Sequence, residues 1–164
     1  MPMDDGAADR KPAGRESAPV SLWSMAVFAL APFPVAAAVY GYGPPSYARE
    51  AVTVLLTWSA VVLSFLAGVR WGLESGRRVP RRGRLAVSIG FALAAWVLLL
   101  VRWRFDLSWV LGAYLVVFML QWLSDHAAPN TASRFPRLST AVTSAACISL
   151  AIALDQSIRA GLKG

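Results

Sequence analysis

The sequence is short of the side chains on which most enzyme and metal chemistry depends. It has one cysteine, Cys147, one histidine, His126, and only 15 % of its 164 residues are charged. A single cysteine excludes a disulfide within the chain. A single histidine without a Cys/His cluster argues against a structural zinc site or a bis-histidine haem. We therefore expect no metal and no cofactor.

Catalysis also lacks a complete set of residues. His126 directly follows Asp125, which resembles part of a catalytic pair. No serine or cysteine nucleophile in a recognisable strand-to-helix turn accompanies them, and histidines in exposed loops are common. Cys147 lies in an apolar run, where cysteine usually acts as a small core residue. We expect no catalytic residues and no enzymatic activity.

Apolar residues, by contrast, are abundant and fall in long runs. They make up 57 % of the chain, and its mean hydropathy is +0.52. A soluble domain carries about a quarter charged residues, so this composition indicates an integral membrane protein. The pattern predicts an all-α bundle of five transmembrane helices at about 20–40, 51–73, 85–101, 107–123 and 138–158. Pro32 and Pro34 should kink or break the first helix. Residues 1–19, which mix both charges with Gly, Pro and Ser, read as a disordered cytoplasmic tail.

The net charge of +7 does not indicate nucleic-acid binding, because the basic residues cluster beside predicted spans. Ten of the sixteen Lys and Arg residues fall in the tail and in the second and fourth loops, which lie on one side of the membrane, and Arg70 lies near the same end of the second span. The positive-inside rule then places the N-terminus in the cytoplasm and the C-terminus in the periplasm. The arginines of the second loop also predict contact with anionic lipid headgroups: Arg77, Arg78, Arg81, Arg82 and Arg84.

The second predicted span has different requirements on its two sides. Small residues recur at every fourth position and predict a face for close helix packing, formed by Ser64, Gly68, Gly72 and Gly76. Arg70 and Glu74, also four apart, lie on another side, because Arg70 is about 160° around the helix from Gly68. A helix with needs on two sides is most easily placed at the centre of a bundle.

Polar residues near the ends of the spans converge on the predicted cytoplasmic side. A charge in or near hydrocarbon is costly unless paired, so we expect Arg70 to pair with Asp125 and Glu74 to pair with Arg137. Gln121 lies one helical turn before Asp125, and Tyr114 and Phe118 extend that face toward the core. Two interpretations remain open at this point. The cluster is either an ion-pair clasp between helices or a polar pocket or proton path. Its predicted members are Arg70, Glu74, Gln121, Asp125 and Arg137.

The stretch LSFLAGVRWGL, residues 63–73, resembles the signature of a family of small bacterial membrane proteins that includes mitochondrial transmembrane protein 69, of the DUF3429 type. The proline-aromatic break in the first span, Asp125 after the fourth, and Arg137-Leu138 at the fifth are similar too. The resemblance covers about residues 23–154, and Arg70 stands where histidine is common. It implies a multi-span protein of the inner membrane and brings no established activity.

Two classes of function follow as expectations. The first is a non-catalytic accessory or assembly factor that docks on a larger membrane complex through small-residue faces. The second is a small transporter or channel that uses the region of Arg70 and Asp125. A transporter needs a polar path to both sides, but the outer halves of the second to fourth spans are almost wholly apolar. The sequence therefore favours the accessory interpretation.

Overall fold

The computed structural model describes residue 28 and the residues 30–78, 80–127 and 136–162, with the side chains of 136–138 left out. The predicted tail, 1–19, and much of the first predicted span lie outside the described residues. The described part of the chain is helical and contains no strand. The all-α prediction is confirmed for these residues.

Five α-helices longer than ten residues are described, with one short 3-10 helix at Pro45–Tyr47. They are α1 Pro32–Tyr42, α2 Ala48–Ser75, α3 Arg82–Val101, α4 Leu107–His126 and α5 Pro136–Gly161. Four stretches are long and apolar enough to cross a membrane: Pro45–Ser75, Arg82–Val101, Leu107–His126 and Ser139–Gly161. They match the second to fifth predicted spans.

The first predicted span is only partly described. Its described helix, α1, has eleven residues, which is shorter than the ~20 needed to cross a bilayer. Ala31 forms a turn, and α1 begins at Pro32, with Pro34 in its first turn. The predicted break at the prolines is thus confirmed. The physical reason is that a proline without an N–H costs least in the first turn of a helix. At the other end, a Cβ on Gly43 would collide with the carbonyl of Val39, so glycine suits this close turn.

Helix α2 lies at the centre of the described bundle, as predicted. It contacts each of the other four α-helices, and it is the most buried of the four candidate spans. Its inward face carries Leu56, Leu63, Ala67 and Glu74, at spacings of seven, four and seven residues that keep them on one side of a helix. Helices α1, α4 and α5 supply the apolar side chains of the surrounding core, among them Phe33, Leu111, Phe118, Ala146 and Leu150.

The outward faces of the helices are apolar. On α3, Ile89, Leu93 and Trp96 are exposed, and on α4 the same is true of Met119 and Leu120. A continuous apolar exterior on helices of this length is stable in lipid and costly in water. The structure therefore has the surface of a membrane-embedded protein.

The predicted packing role of the small-residue face is wrong for contacts within the described chain. Gly68 and Gly72 are exposed, and a Cβ placed on either would meet no described atom within 4 Å. Gly76 is exposed too, and Ser64 is only partly buried. The reason lies in the geometry of α2, because burying the charged side chains of Arg70 and Glu74 against partners turns the glycines outward.

Candidate functional site

The centre of the candidate site is an ion pair that joins α2 to the end of α4. Arg70 Nε lies 3.2 Å from Asp125 Oδ1, with the Arg70 side chain 13 % exposed and that of Asp125 32 % exposed. Arg70 Nη2 also donates a 2.6 Å hydrogen bond to the carbonyl oxygen of Ser124. This carbonyl lies in the last turn of α4, where backbone acceptors have no partner within the helix. The predicted pairing of Arg70 with Asp125 is confirmed.

Glu74, one turn further along α2, holds the loop between α2 and α3. Its side chain is almost fully buried, and Oε1 accepts a 3.0 Å hydrogen bond from the backbone N–H of Arg81. Its Oε2 lies 3.4 Å from Arg77 Nε and 3.6 Å from Arg84 Nη1. The loop is short, so its own arginines are the nearest cations. The predicted partner was Arg137, whose side chain lies outside the described residues.

These contacts change the expected role of the basic loop. Arg77 and Arg84 turn toward Glu74, although both were predicted to face lipid headgroups. Arg78, Arg81 and Arg82 are exposed, and for these three the predicted contact with anionic lipid stays a prediction. Sequence reasoning missed the inward turn because it depends on where the loop folds back, although Glu74 is the nearest acidic residue to all five arginines along the chain.

Two neutral polar side chains are buried beside these charges. Gln121 of α4 and Ser88 of α3 are each 2 % exposed. Within the described part of the chain, three of their atoms have no hydrogen-bond partner: Gln121 Nε2, Gln121 Oε1 and Ser88 Oγ. Gln121 was predicted in this cluster, whereas Ser88 was missed. Its signal was present, since Ser88 lies one helical turn after Arg84 and is the one serine of α3.

Aromatic side chains fill the bundle on the far side of Gln121. The Tyr114 hydroxyl donates a 2.8 Å hydrogen bond to the carbonyl of Ala95 on α3. Phe118 packs edge-on against Phe33 of α1, with ring centroids 6.3 Å apart. Tyr114, Phe118 and Phe33 are all fully buried. The prediction that Tyr114 and Phe118 continue the face of Gln121 into the core is confirmed, and the face becomes apolar there.

His126 and Cys147, the one histidine and the one cysteine of the chain, are of types that serve in catalysis or metal binding. His126 is exposed, with Nδ1 3.0 Å from the carbonyl of Trp122 and its ring 4.2 Å from that of Trp122. Cys147 is partly buried against the core on α5. Among the described residues, no three His, Cys, Asp or Glu side chains lie close enough together to hold a metal ion. The described site is a set of charged groups with a buried amide and a buried hydroxyl beside them in sequence.

Comparison with known proteins identifies a family. No curated protein and no solved structure is significantly similar to the chain. The family model described as "Protein of unknown function (DUF3429)" matches residues 18–154. The match covers the five described α-helices as far as Leu154 of α5, including both partners of the Arg70–Asp125 pair. The chain belongs to the DUF3429 family, whose function is unknown.

Proposed function

We propose that this protein is a non-catalytic accessory or assembly factor of a larger complex in the bacterial inner membrane, with its N-terminus in the cytoplasm. The observation that carries the proposal is the outward face of α2, where Gly68 and Gly72 are exposed beside Val61 and Phe65. Glycine inside a helix costs about 1 kcal/mol relative to alanine. Two glycines on an exposed face therefore favour a role that requires the absence of side chains at these positions.

Close approach of another helix is the role that fits best. Between membrane helices, small residues allow the backbones to come close, and this contact replaces the hydrophobic effect that lipid removes. The ion pairs support the same proposal, since Arg70, Glu74 and Asp125 each pair with another residue of this chain. Such contacts stabilise a scaffold, and the glycine face stays available to a partner.

The experiment is purification in a mild detergent, with identification of the proteins that remain bound. Gly68→Leu should release the partner, because a large side chain blocks close approach. Gly90→Leu on α3 is the matched control, since a Cβ there also meets no described atom within 4 Å. The Glu74–Arg84 contact places Gly68 and Gly90 at the same depth, six residues from it on each helix. Equal loss of partner in both variants, or a wild-type chain purified alone, would contradict the proposal.

A small transporter or channel is the second candidate. It is favoured by the buried Gln121 and Ser88, whose side chains have no hydrogen-bond partner in the described chain, and by the position of Gln121 one helical turn before Asp125. The fully buried Tyr114 and Phe118 weigh against it, because they fill the bundle where a path would continue. Reconstitution of the purified chain in liposomes tests it. Solute flux that Arg70→Leu abolishes and Gly90→Leu leaves intact would favour transport over the accessory role.

A further inference from the structure

Six buried side-chain atoms near the ends of α2, α3 and α4 have no hydrogen-bond partner in the described part of the chain. Two of them, Glu74 Oε2 and Arg84 Nη1, form an ion pair with each other at 3.6 Å, which leaves four atoms. They are Arg70 Nη1, Ser88 Oγ, and both amide atoms of Gln121, and each is buried. A buried polar group without a partner costs about 1–3 kcal/mol, so groups of this kind are normally satisfied by the protein, by water or by a ligand. Four such atoms in one region indicate that something else binds there.

Contacts between the helices place these atoms at one level of the bundle. The Tyr114–Ala95 hydrogen bond sets the register of the antiparallel helices α4 and α3. Gln121 lies seven residues after Tyr114, and Ser88 lies seven residues before Ala95, so each is displaced by ~10.5 Å in the same direction and stays on the same face. The bond from Arg70 to the Ser124 carbonyl places the guanidinium within one turn of Gln121. The three side chains therefore lie within about one helical turn of the same level of the bundle.

The unused capacity consists mainly of donors. Arg70 Nη1 and Gln121 Nε2 are nitrogen donors, and the Ser88 hydroxyl can donate, whereas the Gln121 amide oxygen is the one group of the four that can only accept. Net charge points the same way. The described cluster contains three arginines, Arg70, Arg77 and Arg84, against the carboxylates of Glu74 and Asp125, which leaves one positive charge.

We propose that Ser88, Gln121 and Arg70 form a binding site for one small monovalent anion, such as chloride or formate. The anion accepts hydrogen bonds from the free donors and neutralises the remaining positive charge, which is costly at the edge of hydrocarbon. Asp125 is 32 % exposed, so the site is reachable from the end of the bundle. The proposal requires neither the docking partner nor transport, because it concerns binding alone.

The test is thermal unfolding of the purified full-length chain in detergent, with sodium formate as the probe. Formate replaces a bulky anion at constant ionic strength, so that screening does not change. Wild-type protein should show a saturable rise in Tm. Ser88→Ala should weaken apparent formate binding about tenfold, as expected for a lost hydrogen bond to a charged group. Ser144→Ala, which removes an exposed hydroxyl on α5, is the matched control and should bind like wild type.

Gln121→Glu gives an independent result, because it places a carboxylate on the chain where the anion would lie. This variant should be more stable than wild type without formate and should not respond to formate. A Tm that does not saturate, or an equal response of wild type and Ser88→Ala, would overturn the proposal. So would a Gln121→Glu variant that is less stable than wild type in formate-free buffer, since the new charge would then be repelled by Asp125 rather than bound by the cationic cluster.

Discussion

The two sides of α2 meet opposite requirements within the same few turns of helix. Its inward side carries Arg70 and Glu74, and both charges are bound by α4, by α3 or by the loop. Its outward side carries Gly68 and Gly72, and no described atom comes near the position of a Cβ on either. Both pairs have the same four-residue spacing, so spacing alone does not tell which pair meets a neighbour within the chain.

This contrast shows which requirement is stronger when one helix cannot meet both. Leaving a charge unpaired near hydrocarbon costs several kcal/mol, whereas leaving a glycine face without a neighbour forfeits only packing. The helix therefore turns its charges inward. Substitutions on the inward side should disturb folding of the chain, and substitutions on the outward side should disturb only what the chain binds.

Glu74→Gln should cause the largest loss of stability among the changes considered. The neutral amide can still accept from the Arg81 N–H, but it leaves Arg77 and Arg84 without their carboxylate in a buried position. Thermal unfolding in detergent measures the loss. Glu50→Gln in the first turn of α2 is the control, since Glu50 is exposed. Equal losses in the two variants would show that the inward side is not the sensitive one.

Arg70→Leu should cost about 2–3 kcal/mol, because it strands Asp125 and removes the hydrogen bond to the Ser124 carbonyl. Combining it with Asp125→Asn separates the ion pair from the carbonyl contact. The double variant should be more stable than the sum of the two single effects predicts, by about 1–2 kcal/mol. Strictly additive effects in a thermal unfolding cycle would remove the Arg70–Asp125 pair from the description.

Conservative changes at Arg70 should give smaller effects. Arg70→Lys keeps the charge but loses the fork that reaches Asp125 and Ser124 together, at a cost of about 1 kcal/mol. Arg70→His should be the mildest change, since imidazolium has two separate N–H donors and the resemblance places histidine there in relatives. If the histidine variant failed to assemble while the lysine variant folded, a fixed charge would be what this position needs.

Gly68→Leu should not destabilise the isolated chain and should raise its stability by up to about 1 kcal/mol, because a glycine inside a helix costs about that much. The glycine has open space beside it, and leucine is the better helix former. Comparison with Gly90→Leu by thermal unfolding should show similar small values. A large loss in Gly68→Leu alone would mean that part of the chain covers this face.

Arg78→Gln combined with Arg82→Gln should have the smallest effect on stability. Both side chains are exposed, and neither is among the groups that contact Glu74. The same double variant should bind vesicles containing anionic lipid more weakly at low salt, by about 1 kcal/mol for each charge removed. Unchanged lipid binding in correctly oriented protein would reject the headgroup role for these two arginines.

Much of this protein could be predicted from the order of its residues. Long apolar runs form helices in lipid, because an α-helix satisfies its own backbone hydrogen bonds there, whereas a loop or a sheet with free edges does not. The bounds of α2 to α5 follow from these runs within about three residues. The pairing of Arg70 with Asp125 also follows, since two opposite charges at span ends have few other ways to avoid the cost of burial.

The partners of Glu74, the burial of Ser88 and the exposure of Gly68 and Gly72 could not be predicted in this way. Each depends on how helices from distant parts of the chain are rotated about their axes. Helical periodicity tells which residues share a face, but the direction of that face is set by competition among all the faces for a limited interior. In α2 the charges face the interior, because an unpaired charge costs more than an uncovered glycine.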